Sequence, residues 1–376
     1  MDSQHPKRSA FSGRIGFVLS AAGASVGLGN IWRFPYLAAK YGGGIFLLIY
    51  IILAFTFGYT MIIAETALGR MTKKSPVGAY ASFGKGKGRS FGGWINAVIP
   101  ILIVPYYSVI GGWVIRYLAS YISGHGKELA SDGYFFNFIA NGASAEICFA
   151  IFTILTLAII FAGVRNGVER VSKVMMPILV VLSVIIAVYS VTRPGALAGV
   201  KYFLVPNVSN FSWMTVVTAM GQMFYSLSIA MGILITFGSY MKKDVSIEDS
   251  TKNVELFDTA IAIMAGLMII PAVFSFSGGD PNTLQAGPAL MFITIPKVFD
   301  SMGLGTVVGI LFFTLVLFAA LTSSIALTES AVSTFEDELG WERHRSTFLI
   351  GGIMLVLGSL SALGYGPLSS ITIFGM

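Results

Sequence analysis

Nine long apolar stretches constrain this chain more than any other feature. They run near 15–38, 44–69, 91–122, 144–162, 171–192, 213–240, 256–276, 303–335 and 346–364. A helix that crosses a bilayer needs about 20 apolar residues. In hydrocarbon every backbone N–H and C=O must be bonded within the protein, so helices or closed barrels are the only solutions. The alternating ten-residue pattern of barrel strands is absent here, and the expected class is an all-α polytopic membrane protein. Composition agrees, with 55% hydrophobic residues against 11% charged and a mean hydropathy of +0.79, outside the range of soluble domains.

Charge supplies the orientation. The N-terminal "MDSQHPKRSA" is polar and basic and runs into an apolar segment without an A-x-A cleavage site. It reads as a retained tail, not a signal peptide. With that tail cytoplasmic, 17 of the 24 Lys and Arg fall in cytoplasmic segments, as the positive-inside rule requires. The net charge of +6 is then a topology signal, and nucleic acid is not an expected partner. The single cysteine, Cys148, excludes a disulfide within the chain.

Two spans carry helix-weakening residues. The first holds "AAGASVGLGNIWRFPY" (21–36), with Gly23, Gly27 and Gly29 followed by Asn30, Arg33 and Pro35. The sixth holds "GQMFYSLSIAMG" (221–232). Small residues also allow close helix packing, but packing alone has no need of Asn30, Arg33 and Pro35. Interrupted helices at corresponding places in two halves point to a midplane binding site. An odd number of spans per half inverts the second half relative to the first.

"GLGNIWRFPY" followed by "GGG" (42–44), "GQMFYSLSIAMG" and "FAALTSSIAL" (318–327) resemble the signature segments of the neurotransmitter:sodium symporter family, and in character its bacterial hydrophobic amino-acid transporters. The resemblance runs from Arg8 to about residue 370. It implies the leucine-transporter fold: inverted five-helix repeats with discontinuous helices 1 and 6. The corresponding division is a cytoplasmic tail (1–13), a first repeat (14–192), an outer loop (193–212) and a second, incomplete repeat (213–376). The chain stops before a tenth span, so a truncated sequence or a natural short form is expected. The implied activity is sodium-coupled symport of a neutral, hydrophobic or aromatic L-amino acid by alternating access, across the plasma membrane of a bacterial cell.

The resemblance also implies two Na⁺ sites. In one, Thr322 and Ser323 offer hydroxyls and a loosened turn offers the carbonyl of Ala319, facing the carbonyls of Gly23 and Val26. Such a neutral oxygen cage suits a monovalent cation, since Ca²⁺ and Mg²⁺ sites normally include carboxylates. The competing role for these hydroxyls is bonding back to the preceding helical turn. The second site takes the carbonyl of Ser25, the side chain of Asn30, and Ser226. Asp258 has two candidate roles there, ion ligand and replacement for chloride, so chloride is not expected as a co-ion.

For the amino acid, the N–H groups of Leu28 and Gly29 at a helix N-terminus suit a carboxylate, with the Tyr107 hydroxyl beside them. The ammonium would meet carbonyls of Ser25, Tyr225 and Ser226 and the hydroxyl of Ser228. Ala24 stands where amine-selective members carry an Asp, which argues against a monoamine. Ile103, Tyr107, Tyr225, Met231, Ser323, Ser324 and Leu327 would surround the side chain. Met231 is the adaptable member.

Gating follows the same resemblance. Arg33 would close the outer side over Tyr107 and Tyr225, pairing with an acid in the tenth span. Arg8 and Asp337 would pair on the cytoplasmic side, with Phe11 and Tyr240 beside them. Glu65, a charge within the second span, has no nameable partner. An enzyme is not expected: His5, His125 and His344 lie in tails or loops, and no H-E-x-x-H is present. A non-transporting amino-acid binding or sensing protein of the same fold is the remaining alternative.

Overall fold

The structure, a computed structural model, describes residues 9–84, 87–278 and 287–370. Its frame is helical: α1 (Arg14–Ser25), α2 (Gly29–Lys40), α3 (Gly44–Thr72), α4 (Phe91–Ile122), α5 (Gly142–Phe161), α6 (Val164–Val191), α7 (Trp213–Ser226), α8 (Ile233–Ser239), α9 (Ile247–Ser277), α10 (Gly305–Leu339) and α11 (Arg343–Leu363). Among the described residues, seven helices have the length and hydropathy of a membrane span, or eight if α1 and α2 count as one bent span. Where a sixth span is expected the chain forms α7 and α8, separated by Leu227–Gly232, each too short to cross alone.

Burial separates a centre from a periphery. The most apolar windows of α9 and α10 are 67% and 72% buried inside the protein, against 33% for α5. The half-helix α1 packs against α6, α9 and α10, and eight of its last nine residues from Phe17 are buried. Outer helices instead show apolar side chains such as Ile154, Val181 and Val356 to the lipid, as expected where the solvent is hydrocarbon.

Several spans contain a widened turn that hydropathy does not announce. π-Helical segments lie at Gly29–Arg33, Ala54–Gly58, Val164–Glu169 and Leu290–Thr294. Such turns are often found at functional sites, and the first of them opens α2. Between the loops, Lys297 pairs with Asp132 at 2.5 Å. That hydrogen bond holds the exposed Asp132 carboxyl below its ordinary range.

A strap of residues 11–14 crosses the end of the bundle. Ser12 donates from its backbone N–H (2.8 Å) and its hydroxyl to the Glu169 carboxylate, which also pairs with Lys173 at 2.6 Å. Phe11 donates its N–H to the Tyr240 carbonyl at 3.1 Å and buries its ring against Phe17, Phe237 and Tyr240. Lys242 donates to the Ser12 carbonyl (2.8 Å) and Arg14 to the Asp249 carbonyl (3.3 Å).

Candidate functional site

The two helix breaks face each other. After α1 the chain leaves helical geometry at Val26 (φ −75, ψ 85), although its N–H still bonds the Ala22 carbonyl at 2.7 Å. In the sixth span, Ser228 (φ 55) and Ala230 (φ 60) adopt the left-handed region, which non-glycine residues rarely occupy and which costs about 1–3 kcal/mol each. The break is held in place from outside: Glu65 accepts the Ala230 N–H at 2.7 Å, and the Ser228 hydroxyl donates to the Ala24 carbonyl at 3.4 Å. Glu65 thus has a partner, a backbone amide freed by the break.

A cavity lies between the breaks. It is lined by Ser25, Leu28, Gly29, Ile103, Tyr107, Tyr225, Ser226, Ser228, Met231, Ser323 and Leu327, with Ala24, Gly27, Asn30 and Ile233. The structure therefore brings together eleven of the twelve residues expected around an amino acid. Ser324 does not join them. Its hydroxyl lies 3.1 Å from that of Thr156 on α5, because one residue turns a helix by about 100° and carries the side chain away from the cavity.

One wall is polar backbone. The Leu28 N–H points to the Tyr107 hydroxyl at 3.1 Å. The glycines are required by close approach: a Cβ at Gly27 would stand 2.6 Å from the Ser323 hydroxyl oxygen and 3.0 Å from that of Tyr107, and one at Gly29 2.5 Å from the Tyr225 ring. The other wall, formed by Ile103, Met231 and Leu327, is apolar. The stretch Gly23–Gly27 also spells G-x-S-x-G. Its serine is no nucleophile elbow, which needs a strand-to-helix turn, for Ser25 closes a helix and its hydroxyl donates to the Ala21 carbonyl at 3.2 Å.

At the polar end sits Asp258, fully buried. Its carboxylate accepts from Asn30 Nδ2 (2.8 Å), from the Ser226 hydroxyl (2.9 and 2.8 Å to its two oxygens) and from the Tyr50 hydroxyl (3.1 Å). Ser226 also lies 3.0 Å from Asn30 Oδ1. On the far side, the Ser323 hydroxyl donates to the carbonyls of Gly23 (3.2 Å) and Ala24 (3.1 Å). The loosened turn expected at Ala319 is not present, since α10 is continuous from Gly305 to Leu339. Thr322 instead donates back to the carbonyls of Phe318 (2.9 Å) and Ala319 (3.2 Å). It still lies against α1, because a Cβ at Gly23 would meet its side chain at 3.1 Å.

Comparison with known proteins decides the family. The model of the sodium:neurotransmitter symporter family matches residues 8–127 and 138–375. The chain belongs to the sodium:neurotransmitter symporter family. Its relatives include the uncharacterized sodium-dependent transporter YhdH of Bacillus subtilis, 35% identical over 100% of this chain and 82% of the relative. An uncharacterized sodium-dependent transporter of Haemophilus influenzae is 34% identical over 100% and 84%. Among solved structures, MhsT in complex with L-phenylalanine superposes with a TM-score of 0.87 at 38% identity, covering 98% of this chain and 83% of MhsT. This is a multi-pass membrane protein of a family of secondary transporters, sodium-dependent and not an enzyme.

Of the residues expected to gate the cavity, Arg33, Asp337 and Tyr240 fall within the described residues. Arg33 stacks over the Tyr225 ring at 5.1 Å, a cation–π contact at the cavity mouth. Arg8 lies outside the described residues, and Asp337 accepts the Ser75 backbone N–H at 2.5 Å. Tyr240 donates to Glu329 at 2.7 Å. The fully buried Glu329 forms an ion pair with Arg343 at 2.5 Å, and Arg343 also donates to the Ile160 carbonyl. Sequence reasoning missed this Glu329–Arg343 pair, as it missed Tyr50 and Gln222, whose amide donates to the Gly29 carbonyl at 3.1 Å. A polar residue inside an apolar span was the available signal for Glu329, Tyr50 and Gln222.

Proposed function

We propose that this symporter couples Na⁺ entry to uptake of a neutral hydrophobic or aromatic L-amino acid by alternating access, with its N-terminus cytoplasmic and α7 with α8 forming the sixth of nine spans. One observation carries the reading: a single cavity with main-chain N–H and a tyrosine hydroxyl on one wall and Ile103, Met231 and Leu327 on the other. The N–H groups of Leu28 and Gly29 and the hydroxyl of Tyr107 receive the substrate carboxylate. Carbonyls of Ser25, Tyr225 and Ser226, with Ser228, receive the ammonium. The apolar wall takes the side chain, and the presence of L-phenylalanine in MhsT supports an aromatic or aliphatic one.

Two Na⁺ ions travel with it. One is bound by Ser25, Asn30, Ser226 and Asp258, next to the substrate carboxylate. The other is bound by Gly23, Val26, Ala319, Thr322 and Ser323. Asp258 supplies the negative charge that chloride would otherwise bring, since it already gathers the donors of Tyr50, Asn30 and Ser226. Arg33 on the outside, and Arg8, Asp337 and Tyr240 inside, gate the cavity. The two repeats, 14–192 and 213–376, move against each other around it.

Uptake of radiolabelled phenylalanine, leucine and tyrosine into proteoliposomes tests this directly. An inward Na⁺ gradient should drive accumulation, and a decarboxylated amine of the best substrate should compete poorly, because a site built to bond a group is left unpaired without it. Binding without Na⁺-driven accumulation would establish the sensing alternative instead.

A further inference from the structure

Glu255 lies on α9, three residues before Asp258, and its side chain is fully buried. Neither of its carboxyl oxygens has a hydrogen-bond partner among the described residues, and no Lys or Arg pairs with it there. Asp258, one turn away, is saturated with donors from Asn30, Ser226 and Tyr50. Residues three apart on a helix share a face, with Cβ atoms about 5–6 Å apart. The protein therefore buries a second acid beside a first one and gives it no partner of its own. Packing does not call for it, because an apolar residue would fill the same place at no cost in desolvation.

The position along the span suggests what the second acid meets. In the orientation proposed above, α9 enters from the cytoplasm at Ile247. At a rise of 1.5 Å per residue, Glu255 stands about 12 Å along the helix and Asp258 about 4.5 Å deeper. A cation leaving Asp258 for the cytoplasm passes the level of Glu255. Carboxylate oxygens are hard donors for a hard cation, the partner absent from Glu255 is a positive one, and the cation of the reading above is Na⁺.

We propose that Glu255 is a transit ligand for Na⁺, taking the ion from the Asn30–Ser226–Asp258 cluster on its inward path. The proposal rests on the sodium-coupled reading above and adds to it a residue and a step. Glu255→Gln keeps the shape and removes the charge, and Glu255→Asp keeps the charge. In proteoliposomes, Glu255→Gln should retain Na⁺-dependent amino-acid binding at saturating Na⁺. It should lose about 10-fold or more in substrate-coupled ²²Na⁺ entry, the scale seen when a metal's supporting groups are removed. Glu255→Asp should recover part of that loss, which a purely structural role would not predict.

Each contrary outcome is distinct. Wild-type protein with no Na⁺-driven uptake would remove the coupling reading and the transit site together. Wild-type uptake matched by Glu255→Gln, in both ²²Na⁺ and amino acid, would remove the transit site alone. A variant whose pH profile moves while its Na⁺ dependence stays at the wild-type value would make Glu255 a proton site, and the proposal would be wrong. If Glu255→Gln does not survive purification, Glu255→Met takes its place in the same assays, and wild-type ²²Na⁺ entry by that variant would count against the transit site.

Discussion

Replacing Gly29 by alanine tests whether the broken first span exists for the ligand. The added Cβ would stand 2.5 Å and 2.7 Å from two carbons of the Tyr225 ring, about 1 Å inside ordinary carbon–carbon contact. Tyr225 lines the cavity, half-buried, and lies under the Arg33 guanidinium, so its ring retreats only by disturbing that contact. Overpacking of this kind costs about 1–3 kcal/mol. If that cost falls on the closed, ligand-bound state, the Kd rises roughly 5- to 150-fold. Helix propensity pulls the opposite way, since alanine is the better helix former by about 1 kcal/mol, so the variant should insert and fold. Scintillation proximity binding of the best radiolabelled amino acid reads the effect. Gly221→Ala on α7, where a Cβ meets nothing within 4 Å, is the control and should leave affinity unchanged with equal or higher thermal stability. Wild-type affinity in Gly29→Ala would refute the reasoning and return these glycines to helix packing.

Three further outcomes are expected. Thr322→Ala with Ser323→Ala removes the hydroxyl that bonds α1 and the one beside it on α10, and should raise the Na⁺ concentration for half-maximal binding, measured by titration; an unchanged midpoint would exclude both from the cation site. Binding by the wild type should persist in chloride-free gluconate buffer, whereas Asp258→Asn should lose binding or come to require chloride. Arg343→Met leaves the buried Glu329 without its ion partner, a change that typically costs about 3–5 kcal/mol; thermal melting in detergent should show a clear loss, and none would mean that Tyr240 and solvent satisfy Glu329.

Hydropathy announces spans because lipid demands long uninterrupted apolar runs, and the two breaks are legible because Gly and Ser interrupt those runs. Burial order is legible in part, since the small and hydroxyl residues of "FAALTSSIAL" mark a helix packed on all sides. Rotation about an axis is not. Ser323 and Ser324 are indistinguishable as letters, yet one reaches Gly23 and the other Thr156. The π-helical turns are invisible for the same reason: one extra residue per turn shifts every later side chain without altering composition. Tyr50 and Gln222 bond partners 208 and 193 residues away in sequence, and no local pattern encodes such a meeting. Thr322 shows a third limit, for a hydroxyl that can serve a ligand can equally bond its own helix.

The strap at residues 11–14 has a consequence for how this chain tolerates change. Its attachments to Tyr240 and Asp249, and the hold of Lys242 on Ser12, end on main-chain carbonyls. Every residue type except proline presents the same amide, and all present the same carbonyl, so drift in those acceptor residues leaves their side of the bonds unaltered. Glu169 differs. The Ser12 amide and hydroxyl and the Lys173 ammonium converge on its one carboxylate, and a Cβ at Gly16 would collide with it at 2.4 Å. Robustness in the strap is thus distributed over backbone, while its vulnerability is concentrated in a single side chain and the glycine that makes room for it.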